Sequence, residues 1–304
     1  MCGIVGFLDK SRGHEHAAVG RILIDMLKAL ACRGPDSAGV AVFGPGVDGN
    51  FTVRVKLGDD REIEPRVRQL VGLLDSLGVK YPQLSTVASY ARFIAGGSID
   101  LEALTPAIER LGDDVEVVSV GHELEIVKEV GSPDNLEQTF GISRFQGTHG
   151  LGHTRLSTES RVDLSHSQPF WSHGTPDLAI VHNGHITNYH QLRRRYQQRG
   201  VRFYTENDSE VVAIYLGHQL SNGRSLQQAL EAMLRELDGS YSCLVATANQ
   251  LGFDKDPFAL KPLLWAESAS FVAVANEEVA IRAALPGDYH VHEAQVKETR
   301  VWER

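Results

Sequence analysis

Short apolar strand-like segments dominate the second half of the chain, and they limit what it can fold into. LGHTRLST, LAIVHNGHI, SYSCLVAT, PLLWAE and FVAVANE follow one another from residue 148 onward, with two helical stretches between them. A doubly wound parallel sheet needs a helix at nearly every crossover, and this region has too few. The pattern therefore points to an α+β class built on antiparallel sheets, with helices lying outside or between them.

The opening is equally legible. After an apolar first strand, Val19, Ile22, Leu23, Met26 and Leu30 recur three or four residues apart, which predicts an amphipathic helix over about 16–32; VAVFG then reads as a strand. Ser225 followed by Gln228 forms a capping box for a later helix whose buried stripe is Leu226, Leu230, Leu234 and Leu237. Residues 51–147 differ in texture. FTVRVKLG reads as a strand, PRVRQLVGLLDSLG as a helix and VEVVSVGHELEIVKEVG as a hairpin, and no cluster of catalytic side chains falls among them. They read as an elaboration inserted into a single domain spanning 1–304.

Composition excludes several classes. A net charge of −9 with no basic stripe interleaved with aromatics argues against nucleic acid, and Arg193-Arg194-Arg195 reads as a solvated helix face. No apolar run approaches the roughly 18 residues a bilayer demands, and the start lacks a signal peptide's basic and apolar regions, so a cytoplasmic protein with no membrane role is expected. GPGVDG at 44–49 matches GxGxxG but leads into a strand, so it reads as a turn. Thirteen histidines, the tightest groups being His149 with His153 and His182 with His185, offer neither HExxH nor cysteines at CxxC spacing, and no metal is expected. Three cysteines suit reduced thiols, with Cys32 and Cys243 read as packing residues.

Cys2 invites a different reading. Removing Met1 would leave a thiol and an α-amine on one carbon, groups that ordinarily titrate near 8.5 and 8, so the amine can take the thiol's proton. Four polar segments stand at the ends of apolar runs: RGPDSAG (33–39), GHTRLST (152–158), HNGHITN (182–188) and TENDSEV (205–211). Each admits two readings. Asn183-Gly184 is either a tight turn or a pair of oxyanion donors; Arg155 is either a surface strand residue or a carboxylate clamp; Asp208 is either a helix N-cap or an ammonium contact. Arg33 would ordinarily complement the end of the first helix.

Together and in this order behind Cys2-Gly3-Ile4, these blocks, with DPFALKPL and ANE further on, resemble the class II glutamine amidotransferases of the N-terminal-nucleophile hydrolase superfamily. The resemblance covers residues 1–46 and about 148–285. It implies a four-layer αββα sandwich of two antiparallel sheets. It also implies roles: Cys2 attacks the glutamine amide, Asn183 and Gly184 hold the oxyanion, Arg155 grips the α-carboxylate with Thr158 nearby, Asp208 takes the α-ammonium and Arg33 orders the pocket.

The place of the long middle segment is similar to the larger amidotransferase domains of glutamate synthase. By that likeness the chain resembles the stand-alone amidotransferase subunit of glutamate-synthase-like complexes such as N-methylglutamate synthase. A separate ammonia-consuming partner is then expected, with any flavin or iron–sulfur cluster belonging to that partner and no cofactor in this chain. Two other functions stay open: hydrolysis of another γ-glutamyl amide, and a non-catalytic regulatory subunit that keeps the pocket.

Overall fold

A computed structural model describes residues 2–11, 17–47, 49–58, 63–96, 99–157 and 161–304. Among them a seven-stranded antiparallel sheet joins β1 (Gly3–Asp9), β2 (Ser37–Phe43), β7 (Leu124–Val130), β8 (His149–Arg155), β13 (Leu264–Glu267), β14 (Phe271–Ala275) and β15 (Val291–Glu293), in the order β15-β13-β14-β1-β8-β2-β7. A five-stranded sheet, ordered β16-β12-β11-β10-β9, is made of β9 (Phe170–Trp171), β10 (Leu178–Ile186), β11 (Gly239–Thr247), β12 (Gln250–Lys255) and β16 (Thr299–Glu303). β1 and β8 pack across onto β10 and β11, so the two sheets lie face to face.

Helices cover both outer faces. α1 (Val19–Ala29), α4 (Pro133–Phe140) and α8 (Glu278–Ala284) lie on the larger sheet; α5 (Tyr189–Gln197), α6 (Asp208–Ser221) and α7 (Leu226–Glu236) lie on the smaller. This is the four-layer αββα sandwich. Strand periodicity explains why the sheets sit inside. Along β10, Ala179 and Val181 join the core between the sheets while Leu178 and Ile180 join the core under the helices. Both faces of the strand are therefore apolar, as a strand enclosed on two sides requires.

The opening strand, helix and strand behave as read. β1 and β2 each pair antiparallel with β8, which lies between them, so α1 makes the crossover linking two parallel strands. The helix is shorter than expected, Val19–Ala29, followed by a 3-10 turn at Ala31–Arg33. The capping box at Ser225 and Gln228 forms, although Ala229 and Met233 are buried on that face while Leu234 is only half-buried. Cys243 is buried as expected, whereas Cys32 is exposed.

A third sheet, ordered β4-β5-β3-β6, is carried by the middle of the chain: β3 (Phe51–Lys56), β4 (Ser85–Val87), β5 (Tyr90–Ala95) and β6 (Glu116–Gly121), with α2 (Glu64–Ser76) and α3 (Leu101–Glu109). The expected hairpin at 115–131 does not form. β6 pairs with β3 in the small sheet, whereas β7 pairs with β2 at the edge of the large one. The separate sheet thus ends at Gly121, and β7 and α4 belong to the sandwich.

Asp177, distant in sequence, makes this divergence possible. Its carboxylate accepts from the backbone N–H of His122 at 3.0 Å and from those of Glu123 and Leu124 at 2.9 Å, so the turn is satisfied without a ladder between the strands. Among the described residues no helix is long and apolar enough to cross a membrane. Asp177→Ala should leave three N–H groups without their acceptor and lower stability by roughly 3 kcal/mol. A urea midpoint within error of the wild type would contradict this account of the turn.

Candidate active site

The site lies where the two sheets meet at one end. The β1–β8 ladder runs to Gly3 opposite Thr154, which brings Cys2 beside the end of β8. There the Leu156 N–H lies 3.4 Å from Cys2 Sγ. From the other sheet, Asn183 Nδ2 donates to the Cys2 carbonyl at 3.1 Å, and Arg33 Nε donates to the same oxygen at 3.2 Å. Arg33 in turn pairs with Glu277. The arginine read as a helix-end residue therefore holds the backbone of Cys2.

A cavity of about 540 Å³ opens over the sulfur, lined among others by Cys2, Arg155, Asn183, Gly184, Asp208 and Lys261. Asn183 and Gly184 are not a turn. They lie within β10, opposite Ser242 and Tyr241, and the strand continues to Ile186. Gly184 has φ +149°, and a β-carbon there would stand 2.2 Å from the Ser240 carbonyl oxygen and 2.6 Å from Tyr241 Cα. Only glycine fits that backbone.

Arg155 is not a surface residue either, being 4% exposed. Burial pulls its pKa down while Cys2, Asp163 and Asp36 pull it back, and guanidinium remains charged throughout. Its Nη1 donates to the Arg161 carbonyl at 2.8 Å. Asp36 braces the same region, accepting the Ser157 N–H at 2.7 Å.

Asp208 does not cap its helix. Asn207 does, its side chain accepting the Ser209 N–H at 3.0 Å, so Asp208 becomes the first residue of α6. One carboxylate oxygen accepts the Ile186 N–H at 2.8 Å, tying the helix to β10. His182 Nδ1 lies 3.7 Å from the other oxygen; burial lowers its pKa and keeps the ring neutral. Thr158 lies outside the described residues.

Further residues line the cavity that sequence reasoning did not single out: Ser157, Gln168, Tyr189, Glu206 and Lys261. Lys261 stood inside DPFALKPL, where Asp256 shapes the turn by accepting the Phe258 and Ala259 N–H groups at 2.7 and 3.1 Å. Gln168 exchanges two hydrogen bonds with the His182 backbone, at 2.9 and 2.6 Å. Arg155, Lys261, Asp208 and Glu206 give the lining two cations and two anions, which suits a zwitterion better than a plain anion or cation.

The family follows from full-length similarity. The chain is 36% identical over 304 residues to the Glutamine amidotransferase-like protein GlxB of Rhizobium meliloti, covering 100% of this chain and 95% of that one. The chain belongs to the glutamine amidotransferase family. A glutamine amidotransferase domain model matches residues 153–283. A Methanothermobacter thermautotrophicus protein that bears the glutamine amidotransferase name provisionally is also 36% identical, over 308 residues and 100% of both chains.

Among solved structures, the glutamine phosphoribosylpyrophosphate amidotransferase of B. subtilis aligns at TM-score 0.63 and 21% identity, covering 99% of this chain. This amidotransferase spans 47% of that structure's length. The likeness shows the fold, and the sandwich agrees with it.

Beside Glu206 of the cavity lining, 3.6 Å from its carboxylate, His166 offers a pH test. His166 Nδ1 meets Asp163 Oδ1 at 2.7 Å, and the His166 N–H donates to the same oxygen at 2.8 Å. The bond to Asp163 raises the His166 pKa above 6.5; burial raises the Asp163 carboxyl, but the His166 contacts outweigh it and hold it at about 2. The histidine's share of stability is present below its unfolded value near 6.5 and lost as pH rises through its raised value. The carboxyl's share is present above its unfolded value near 3.9 and lost as pH falls through about 2. Asp163→Asn should therefore lower the ring's titration midpoint, read by NMR of its Cε1–H. An unchanged midpoint would contradict the pairing.

Proposed function

We propose that this chain hydrolyses the side-chain amide of glutamine, with Cys2 as an N-terminal nucleophile acting through a glutamyl thioester, and passes the ammonia to a partner synthase. One observation carries the reading: a sulfur, an amide donor and a zwitterion-matched set of charges converge on one cavity. Removal of Met1 frees the α-amine. The amine takes the thiol proton, and sulfur attacks the amide carbon. Asn183 Nδ2 keeps a second N–H beyond the one given to the Cys2 carbonyl, and with the Gly184 N–H it receives the oxyanion.

Collapse of the tetrahedral species breaks the C–N bond, and the ammonium on Cys2 returns its proton to the leaving ammonia. Water, deprotonated by the same amine, then cleaves the thioester to glutamate. Arg155 holds the α-carboxylate and Asp208 the α-ammonium. Arg33 acts by fixing the Cys2 carbonyl. A separate acceptor is supported by chemistry, since ammonia set free in bulk water is protonated and ceases to be a nucleophile. We assign that role to a synthase subunit of the glutamate-synthase-like kind, as in N-methylglutamate synthase.

Steady-state glutamine hydrolysis tests the assignment. Cys2→Ala should cost more than about a thousandfold in kcat, and full activity in that variant would exclude the mechanism. Asp208→Asn keeps an acceptor for the Ile186 N–H but loses the charge. It should raise KM for glutamine by roughly ten- to a hundredfold, and an unchanged KM would remove Asp208 from the ammonium site.

A further inference from the structure

A buried contact ties the layer of the third sheet to the segment that leads into the pocket. Glu109 ends α3, and its side chain is fully buried. One of its oxygens accepts the Tyr204 hydroxyl, and the other accepts the Val117 N–H at 3.3 Å. Tyr204 is held by its ring as well. The ring stacks on His173 at 4.4 Å and carries the Arg202 guanidinium at 4.9 Å.

Tyr204 opens the short segment that leads into α6. Its N–H donates to Glu210 at 2.8 Å, and the Thr205 N–H and hydroxyl donate to the same carboxylate at 2.9 and 2.8 Å. The Asn207 N–H donates to the Thr205 hydroxyl at 3.1 Å, and Arg193 donates to the Thr205 carbonyl. Glu206, Asn207 and Asp208 then form the acidic side of the cavity.

We infer that Glu109 and Tyr204 are positioning residues: through them the inserted sheet fixes the 204–208 segment, and hence Asp208, for the amino-acid end of the substrate. The inference rests on the glutamine reading for its substrate. Asp208 is remote from the reacting bond, so its displacement weakens ground state and transition state alike and appears in KM rather than kcat. A typical intramolecular hydrogen bond contributes about 1 kcal/mol, a factor of about five.

The test compares Tyr204→Phe, Glu109→Leu and their double variant. Each single should raise KM for glutamine about fivefold, with kcat held within about twofold, and the double should have a KM no worse than Glu109→Leu alone, because both substitutions break the same Tyr204–Glu109 link. A structural role alone predicts another pattern. Replacing both partners by apolar groups removes the unpaired Tyr204 hydroxyl that Glu109→Leu leaves behind, though not the unpaired Val117 N–H, so the double should regain part of the stability lost in Glu109→Leu while its KM stays raised. A KM that returned with stability, or never moved, would overturn the inference. Hydrogen exchange supplies a readout independent of turnover. The amides of 205–209 should exchange about fivefold faster in Tyr204→Phe, and unchanged exchange would also overturn the inference. A wild-type chain that does not hydrolyse glutamine would sink the functional reading, and the exchange result would still decide the positioning.

Discussion

The pairing of β1 on both edges is the constraint on which the site depends. A chain end is ordinarily its loosest part. Here β1 is hydrogen-bonded to β14 from Val5 to Asp9 and to β8 from Gly3 to Leu8, so the residue just before it inherits the rigidity of the sheet. The Cys2 carbonyl is then gripped from two directions, by Asn183 of the facing sheet and by Arg33 after the first helix. The position of Cys2 is therefore a product of sheet stacking, and it needs no loop of its own.

The other groups follow from the same geometry. Arg155 ends β8 beside Cys2, while Asn183 and Gly184 lie on β10 in the opposing sheet. Asp208 arrives from a helix but is fastened to β10 through the Ile186 N–H. Three elements far apart in sequence thus bring a cation, an amide and an anion to one cavity. Rigid elements place such groups more accurately than loops do. Among the described residues that line the cavity none comes from the third sheet, and Glu109 reaches the segment that carries Asp208.

Much of this was readable in the sequence because it is local. Strand alternation in LAIVHNGHI and SYSCLVAT, the three-four spacing of α1 and the Ser225 capping box are properties of neighbouring residues. The misreadings were non-local. VEVVSVGHELEIVKEVG alternates as a hairpin would, and the residue that parts its strands is Asp177, more than fifty positions on. Asn207 and Asp208 are equally good caps by type; the choice is made by the Ile186 N–H, which claims Asp208. Asn183-Gly184 has a turn's composition, but its pairing with Ser242 and Tyr241 keeps the strand running. Lys261 and Tyr204 carried no signal in spacing, since what they do depends on partners from other elements.

The central claim is that Cys2, freed of Met1, is a nucleophile facing a glutamine pocket. The most direct measurement is the intact mass of the purified chain before and after exposure to a diazo-ketone analogue of glutamine, an electrophile that alkylates such a thiolate. The account predicts a chain lacking Met1 that gains one adduct, with no adduct on Cys2→Ala. A chain that keeps Met1 and takes up none would contradict it.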